Sequence, residues 1–240
     1  MYRMPETADG NPERKMSIYK KYLGSDFAKL HPKLQERFNI SLENGLTMKG
    51  TGQMDRVWNA GLHTRPFLRI GTLRNIMFPE TGTDIPFTIE NYCYIDSFGR
   101  ETVAWIRKFN FERKTRRFDA TMVFSAKQHR LIDYLGTMQH LVTDLELSAN
   151  NDGSITIRSG PQRFYEKRIG FNFPDLFCGN AEVHESYDEK REGFRINVCV
   201  SNRTFGKIFG YTGFFKAEFR KITPQDIPAY ARPLREEIRE

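Results

Sequence analysis

Glu101-Thr102-Val103-Ala104-Trp105-Ile106-Arg107-Lys108-Phe109-Asn110-Phe111 is the stretch on which the reading of this chain turns. At a period of two, Val103, Trp105, Arg107, Phe109 and Phe111 share one face, and Thr102, Ala104, Ile106, Lys108 and Asn110 share the other. The first face is heavier and more aromatic, so it points into a core. Arg107 then stands among large apolar side chains. A guanidinium buried without a partner costs several kcal/mol. Two partners satisfy it: a carboxylate of this chain, with Glu90 and Glu185 as candidates, or an anionic ligand. Glu185 shares the parity of the apolar Val183.

Alternation extends in both directions. Phe87, Ile89, Cys93 and Ile95 alternate with Thr88, Glu90, Tyr92 and Tyr94, and Asp96-Ser97-Phe98-Gly99 turns into the quoted strand. Glu112 to Arg117 reads as a charged connection to a strand over Phe118–Ala126. Further strands are expected at Leu131–Leu135, Gln139–Leu147, Ser154–Arg158, Arg163–Arg168, Ala181–Tyr187, Phe194–Ser201 and Lys207–Phe219. Asn150-Asn151-Asp152-Gly153 and Asp188 to Gly193 are hairpin connections. Such short spacings leave no room for helical crossovers, which excludes a doubly wound parallel sheet.

The first part of the chain reads differently. Lys15 to Ile40 is helical in pattern, broken at Gly24, with Ser25 as a cap and Pro32 opening a second helix. His31 is a boundary residue. Gly45 to Gly61 puts Leu46, Met48, Gly50, Gly52, Met54 and Arg56 on one parity, and the glycines suit a bulge or the close approach of another element. Pro66 to Phe78 has helical spacing closed by Pro79, and Pro174 to Cys178 fits one helical turn. Gly206, Gly210 and Gly213 mark bulges in the last strand. From Pro224 the chain is a proline-punctuated tail ending in a short charged surface helix, Arg235 to Glu240.

The 240 residues include 20 Phe and 10 Tyr, enough for a sizeable core. The net charge of +7 favours anionic partners or, more plainly, a solvated surface with a basic bias. Cys93, Cys178 and Cys199 are far apart and odd in number, which fits reduced thiols and a cytoplasmic location. The opening through Arg14 is polar, carries no secretory or lipidation signal, and is expected to be disordered; no apolar run reaches the length of a membrane span.

No chemical motif stands out. The five histidines have no metal-ligand spacing, and neither a nucleophile elbow nor a phosphate-binding loop occurs. Gly50-x-Gly52 lacks the third glycine of a dinucleotide fingerprint. Glu182 and Glu185 read as solvated charges rather than an acid/base pair. Arg113, Lys114, Arg116 and Arg117, beside Phe111 and Phe118, could meet phosphates, but a hydrated loop explains them as well, and no nucleic-acid partner is expected.

Gly50-x-Gly52-x-Met54, Gly99-Arg100-Glu101 leading to Trp105-x-Arg107-x-Phe109, Phe173-Pro174-x-Leu176 and Phe209-Gly210-Tyr211-x-Gly213-x-Phe215 resemble the bacterial family catalogued as domain of unknown function 4166. Tyr22-Leu23-Gly24 and Leu30-His31-Pro32 look similar too, so the resemblance runs from about Tyr19 to Phe219. It implies a domain that elsewhere can follow a saccharopine-dehydrogenase-like NADP-binding domain. With no dinucleotide fingerprint in these residues, it implies here a stand-alone version, working beside a separately encoded oxidoreductase. The family supplies no catalytic residue to carry over.

The resulting expectation is a mainly β (α+β) fold, an antiparallel meander curled into a barrel or strongly curved sheet with short N-terminal helices. A packed sandwich is the alternative. Residues 1–14 form a tail, 15–223 a single β-rich domain and 224–240 a second tail. The expected function is binding of an apolar or anionic small molecule, a lipid or carboxylic acid, at Trp105, Arg107, Phe109, Met122 and Tyr211, with no cofactor and no metal. The alternatives are an enzyme using a polar group in the same barrel, such as a decarboxylase, isomerase or hydrolase, and a basic module that binds an anionic surface or protein partner.

Overall fold

The computed structural model describes residues 16–62, 64–174 and 178–240. The opening 1–14 therefore lies outside the described residues, as does most of the turn expected at 174–178. Eleven strands follow one another: β1 Leu46–Asn59, β2 Gly82–Ile95, β3 Glu101–Phe111, β4 Lys114–Ser125, β5 Arg130–Leu135, β6 Leu141–Ala149, β7 Ile155–Glu166, β8 Ile169–Asn172, β9 Asn180–Asp188, β10 Gly193–Asn202 and β11 Gly206–Lys221. All pairings are antiparallel. β1 to β7 pair in sequence, β7 continues to β9, β9 to β10 and β10 to β11, and β11 returns to β1 with Gly50 opposite Ala217. The result is a closed ten-stranded barrel. β8 stands outside the ring as a hairpin arm on the second half of β7, with Phe171 opposite Phe164.

The meander is the expected one, with three differences of detail. Ser154–Arg158 and Arg163–Arg168 are not two strands, because β7 runs unbroken to Glu166 and Lys167, at φ 49°, turns the chain into β8. The charged connection shrinks to Glu112-Arg113, since Lys114 already pairs with Phe111, and Glu80 draws Lys114 and Arg116 onto the wall. In β1 the register slips between Met54 and Arg56, so Val57 turns inward and Arg56 faces solvent despite their positions in the sequence alternation. Gly50 is the close approach that its sequence suggested: a Cβ there would sit 2.6 Å from Ile89 and 2.7 Å from the Phe215 ring.

Three short helices complete the chain. α1, Ile18–Leu23, is capped by Ser17, whose Oγ accepts from the Lys20 amide. The cap expected at Ser25 does not form, because Gly24–Lys29 winds as a 3-10 helix with no side-chain cap. α2, Pro32–Phe38, begins at His31, whose Nδ1 accepts from the Lys33 amide. α3, Arg65–Thr72, stops short of Phe78, because the chain tightens into a turn in which Asn75 is left-handed at φ 53°.

α1 and α2 close one end of the barrel. The His31 amide donates to Gly153 in the β6–β7 turn, Tyr22 stacks on His129 in the β4–β5 turn, and Lys21 pairs with Glu101 at the start of β3. Side chains of this plug reach the interior, where Ile18, Tyr19, Leu34 and Phe38 join one continuous core with the inward faces of the strands. Arg37 is buried there too. Its Nε and Nη2 grip the two oxygens of Glu185 on β9 at 2.6 and 3.0 Å, and its Nη1 donates to Asn91 on β2. The Trp105 ring lies 4.9 Å from this guanidinium. Glu185 is thus the least solvated carboxylate of its strand, and the reading of Glu182 with Glu185 as solvated charges holds only for Glu182, which meets Arg158 at the surface.

The residues from Pro224 form no surface helix beyond two 3-10 turns; they strap the outside of the barrel. Ile227 and Ala231 cover Ala104 and Ile106, on the outward face of the strand quoted first, together with Tyr94 of β2. Glu237 is buried beside Arg100, Arg235 and Arg239; burial works against its charge, but Arg239 and Arg235 hold its carboxyl down to about 2.

The pair that locks the plug is testable. Arg37→Met strands Glu185, and Glu185→Gln strands Arg37, so each should cost about 3–5 kcal/mol in urea unfolding. The double substitution should lose less than the sum of the two. Strictly additive losses would mean that the two side chains are not coupled.

Candidate functional site

At the end opposite the plug the interior is not filled. A cavity of about 150 Å³ opens among β3–β7, β9 and β10, with α3 and the β10–β11 connection at its rim. Its wall is mostly aliphatic and aromatic, including Leu68, Leu145, Ile157 and Val198. Polar groups are few: Arg107 on β3, Asp133 with its cross-strand neighbours Thr143 and Gln162 on β5, β6 and β7, Ser159, and Thr64 and Asn202 towards the rim.

Arg107 points inward, as its parity requires. Its Nε donates to the Phe118 carbonyl at 2.9 Å and its Nη1 to the Tyr211 hydroxyl at 3.3 Å. The guanidinium lies 3.9 Å from the centre of the Phe118 ring and 5.8 Å from that of Trp105. Neither carboxylate proposed as its partner meets it. Glu185 is taken by Arg37 and Glu90 by Lys108. Glu90 stands on the outward parity of β2, which a strand cannot reverse without a bulge. Among the described residues Arg107 makes no ion pair within 4.0 Å.

Asp133 faces the same space from β5, directly opposite Met122 in the β4–β5 register. Its Oδ1 is buried with no hydrogen-bond partner. Burial pushes its carboxyl up to about 7, and the positive charge of Arg107 offsets part of that rise. The cavity therefore presents a fixed cation beside a carboxyl that changes charge near neutrality. Such a pair can hold a carboxylate between a guanidinium and a neutral acid proton, or pass a proton to a bound group.

The five residues chosen from sequence divide. Trp105, Arg107 and Met122 line the cavity. Trp105 and Met122 form its floor against the plug, where the Trp105 indole donates to the Tyr19 hydroxyl at 2.7 Å and that hydroxyl reaches Met122 Sδ at 3.4 Å. Phe109 and Tyr211 lie behind the wall, their rings 4.9 Å apart, with Phe109 also packed on Phe78 and Phe87. Tyr211 serves the site by fixing Arg107. Asp133 is the member that sequence reasoning missed. The signal was present in Leu131-x-Asp133-x-Leu135, where a carboxylate shares the parity of two apolar neighbours just as Arg107 does.

The basic group Arg113, Lys114, Arg116 and Arg117 is largely spent on the protein itself. Lys114 and Arg116 meet Glu80, and Arg117 meets Asp119. Among the described residues no cluster of three or more His, Cys, Asp or Glu is placed to hold a metal ion.

The family model described as "Domain of unknown function (DUF4166)" matches residues 30–215. The chain belongs to this family. A relative, "Uncharacterized protein YndH" of Bacillus subtilis (strain 168), is 37% identical over 205 residues, covering 85% of this chain and 98% of that protein. The DUF4166 match spans α2 and the strands through most of β11. It thus takes in Arg37, Glu185, Arg107 and Asp133, and stops before the C-terminal strap.

The raised Asp133 carboxyl has a measurable consequence. It keeps its proton where the unfolded chain, near 3.9, gives it up. Across roughly pH 4–7 the folded state binds more protons, so this group's contribution to stability is lost as pH rises through that window and stays lost above it. The stability of wild type minus that of Asp133→Asn should therefore fall by a few kcal/mol from pH 4 to pH 7.5. Taking the difference removes Asp119, whose carboxyl burial also raises to about 6. A flat difference would place Asp133 in contact with water.

Proposed function

We propose that this protein binds an apolar small molecule with an anionic head, a lipid fragment or carboxylic acid, inside the barrel. The observation that carries the reading is the state of Arg107: its guanidinium is held by the Phe118 carbonyl and the Tyr211 hydroxyl, without an ion pair among the described residues, on the wall of an otherwise apolar cavity. A buried cation placed this way gains most from an anion brought in by a ligand. The volume, about 150 Å³, is in the range that accepts a benzene-sized group in an apolar interior. The head reaches Arg107, and the rest of the molecule extends past Leu68 towards the open end. Three free cysteines support a cytoplasmic setting for it. No described helix is long and apolar enough to cross a membrane.

A second reading rests on Asp133. A carboxyl raised to about 7 beside a cation is suited to proton transfer on a bound acid. Turnover of a bound carboxylic acid that Asp133→Asn abolishes while binding survives would favour this enzymatic reading.

The test of the binding reading is Arg107→Met, which keeps aliphatic volume and removes the charge. Displacement of a fluorescent fatty-acid analogue should weaken by about 2–5 kcal/mol. Thermal stability should change by less than the roughly 3–5 kcal/mol of a broken buried ion pair, since the lost hydrogen bonds to a carbonyl and a hydroxyl are offset by removal of a buried charge that has no ionic partner among the described residues. Unchanged affinity in the variant, or native mass spectra and titrations with no acid bound to wild type, would sink the reading.

A further inference from the structure

The rim of the cavity has a composition unlike the rest of the surface. Five connections form this end of the barrel, and three of them carry its exposed apolar residues: the first part of the β1–β2 connection, residues 60–75 with α3, the turn and arm 167–174 with β8, and the β10–β11 connection 202–208. The β3–β4 turn, Glu112-Arg113, and the β5–β6 connection, 136–140, complete it. Of the twelve exposed large hydrophobic residues among the described ones, seven lie on those three. α3 supplies the sharpest case. Leu68 turns into the cavity and the partly exposed Phe67 reaches its rim, while Ile70 and Leu73, three residues apart, form an apolar ridge facing out. A soluble helix packed on a core normally shows the reverse. Ile169 and Phe171 on the arm and Phe205 on the third connection are exposed as well.

Charge follows the same pattern. The described residues of these three connections include Arg65, Arg69, Arg74, Lys167, Arg168, Arg203 and Lys207, and no Asp or Glu. All except Arg74 are exposed, and among the described residues none of the seven forms an ion pair with a carboxylate. The basic group at the start of β4, at the same end of the barrel, is by contrast neutralised, by Glu80 from the second part of the β1–β2 connection and by Asp119. Exposed apolar ridges set among uncompensated cations, on one end of a barrel, match the chemistry of one surface above others: an anionic bilayer, whose headgroups meet the cations and whose acyl boundary takes the ridges.

We infer that the open end of the barrel docks on an anionic phospholipid surface, with α3, the β7–β8 arm and the β10–β11 connection as the contact. The cavity mouth then faces the bilayer, so an amphipathic molecule can pass between lipid and barrel without crossing water. This inference stands apart from the identity of the cavity's ligand.

The experiment is sedimentation of the full chain with vesicles of phosphatidylglycerol or of phosphatidylcholine. Wild type should pellet with the first, remain in solution with the second, and be released as salt rises. Arg65→Ala with Arg69→Ala should weaken partition about fivefold per cation removed. Ile70→Ser with Leu73→Ser should weaken it without changing the salt dependence. Lys190→Ala with Arg191→Ala, at the plug end, should leave it unchanged. Arg107→Met should also bind vesicles as wild type does, so failure of the cavity reading leaves this result interpretable. Equal binding to both vesicle types, no binding to either, or partition indifferent to the rim substitutions would overturn the inference. So would a dimer in analytical ultracentrifugation that Ile70→Ser with Leu73→Ser disperses, since a second copy would then cover the ridge.

Discussion

The bidentate contact between Arg37 and Glu185 joins the plug to the barrel wall inside a closed core. Geometry makes something of this kind necessary. Eight strands give a barrel just narrow enough for its own side chains to fill, and the interior widens as strands are added. A ten-stranded ring therefore needs filling from elsewhere. Here the filling is α1 and α2, which are six and seven residues long, too short to be stable in isolation. Their order comes from burying Ile18, Tyr19, Leu34 and Phe38 against the strands, and hydrophobic contact alone allows sliding. The Arg37 fork does not. It has to meet both oxygens of Glu185 and the side chain of Asn91 at once, which sets the depth and rotation of the plug.

Arg37 and Arg107 share one interior and the Trp105 ring lies near both, yet they are held differently. Arg37 spends its donors on a carboxylate, an amide oxygen and Met48 Sδ, and the four rings of Phe38, Trp105, Phe194 and Phe215 lie within 6 Å of its charge. It is a closed structural unit. Arg107 has a carbonyl, a hydroxyl and the face of Phe118, and the nearby carboxyl, Asp133, is itself driven towards the neutral form by burial. Removing water from two charges favours their pairing only when geometry is good. Where it is not, the acid takes up a proton and the cation keeps an unmet demand. That difference separates the part of the core that holds the fold together from the part that is available to a ligand.

How much of this was legible follows from the same chemistry. The barrel was legible because alternation with period two persists through strand after strand, and the connections are too short for anything but hairpins. The inward position of Arg107 followed from parity alone. What parity does not carry is which inward groups meet. Glu185 shared the parity of Val183 and was offered to Arg107, yet was also read with Glu182 as a solvated charge; its partner lies 148 positions away on a short helix, and Arg37 has no alternating neighbours to reveal it. Glu90 was offered to Arg107 although it lies on the opposite parity. Arg56 was misplaced because one bulge reverses every side chain after it. The strap was hidden for a different reason: Pro224 to Glu240 has no periodicity, and its attachment depends on Arg100, Gln139 and Tyr165, each on a different segment.

The two ends of the barrel complete the argument. At the plug end, connections carry compensated charge: Lys21 on Glu101, His31 near Glu189, Arg195 on Asp188. At the open end, apolar side chains are exposed and the cations of α3, of the β7–β8 turn and of the β10–β11 connection lack carboxylate partners among the described residues, although burying those ridges would have been open to a chain that already ties its C-terminal strap along the wall. Exposed apolar area reduces the solubility margin and clustered like charge reduces stability, and both are concentrated where the cavity opens. The cost therefore falls on the one end through which a molecule can enter. In a barrel sealed at its other end by a locked plug, that asymmetry gives the proposed ligand its direction of entry: past α3, along the apolar wall, to the guanidinium of Arg107.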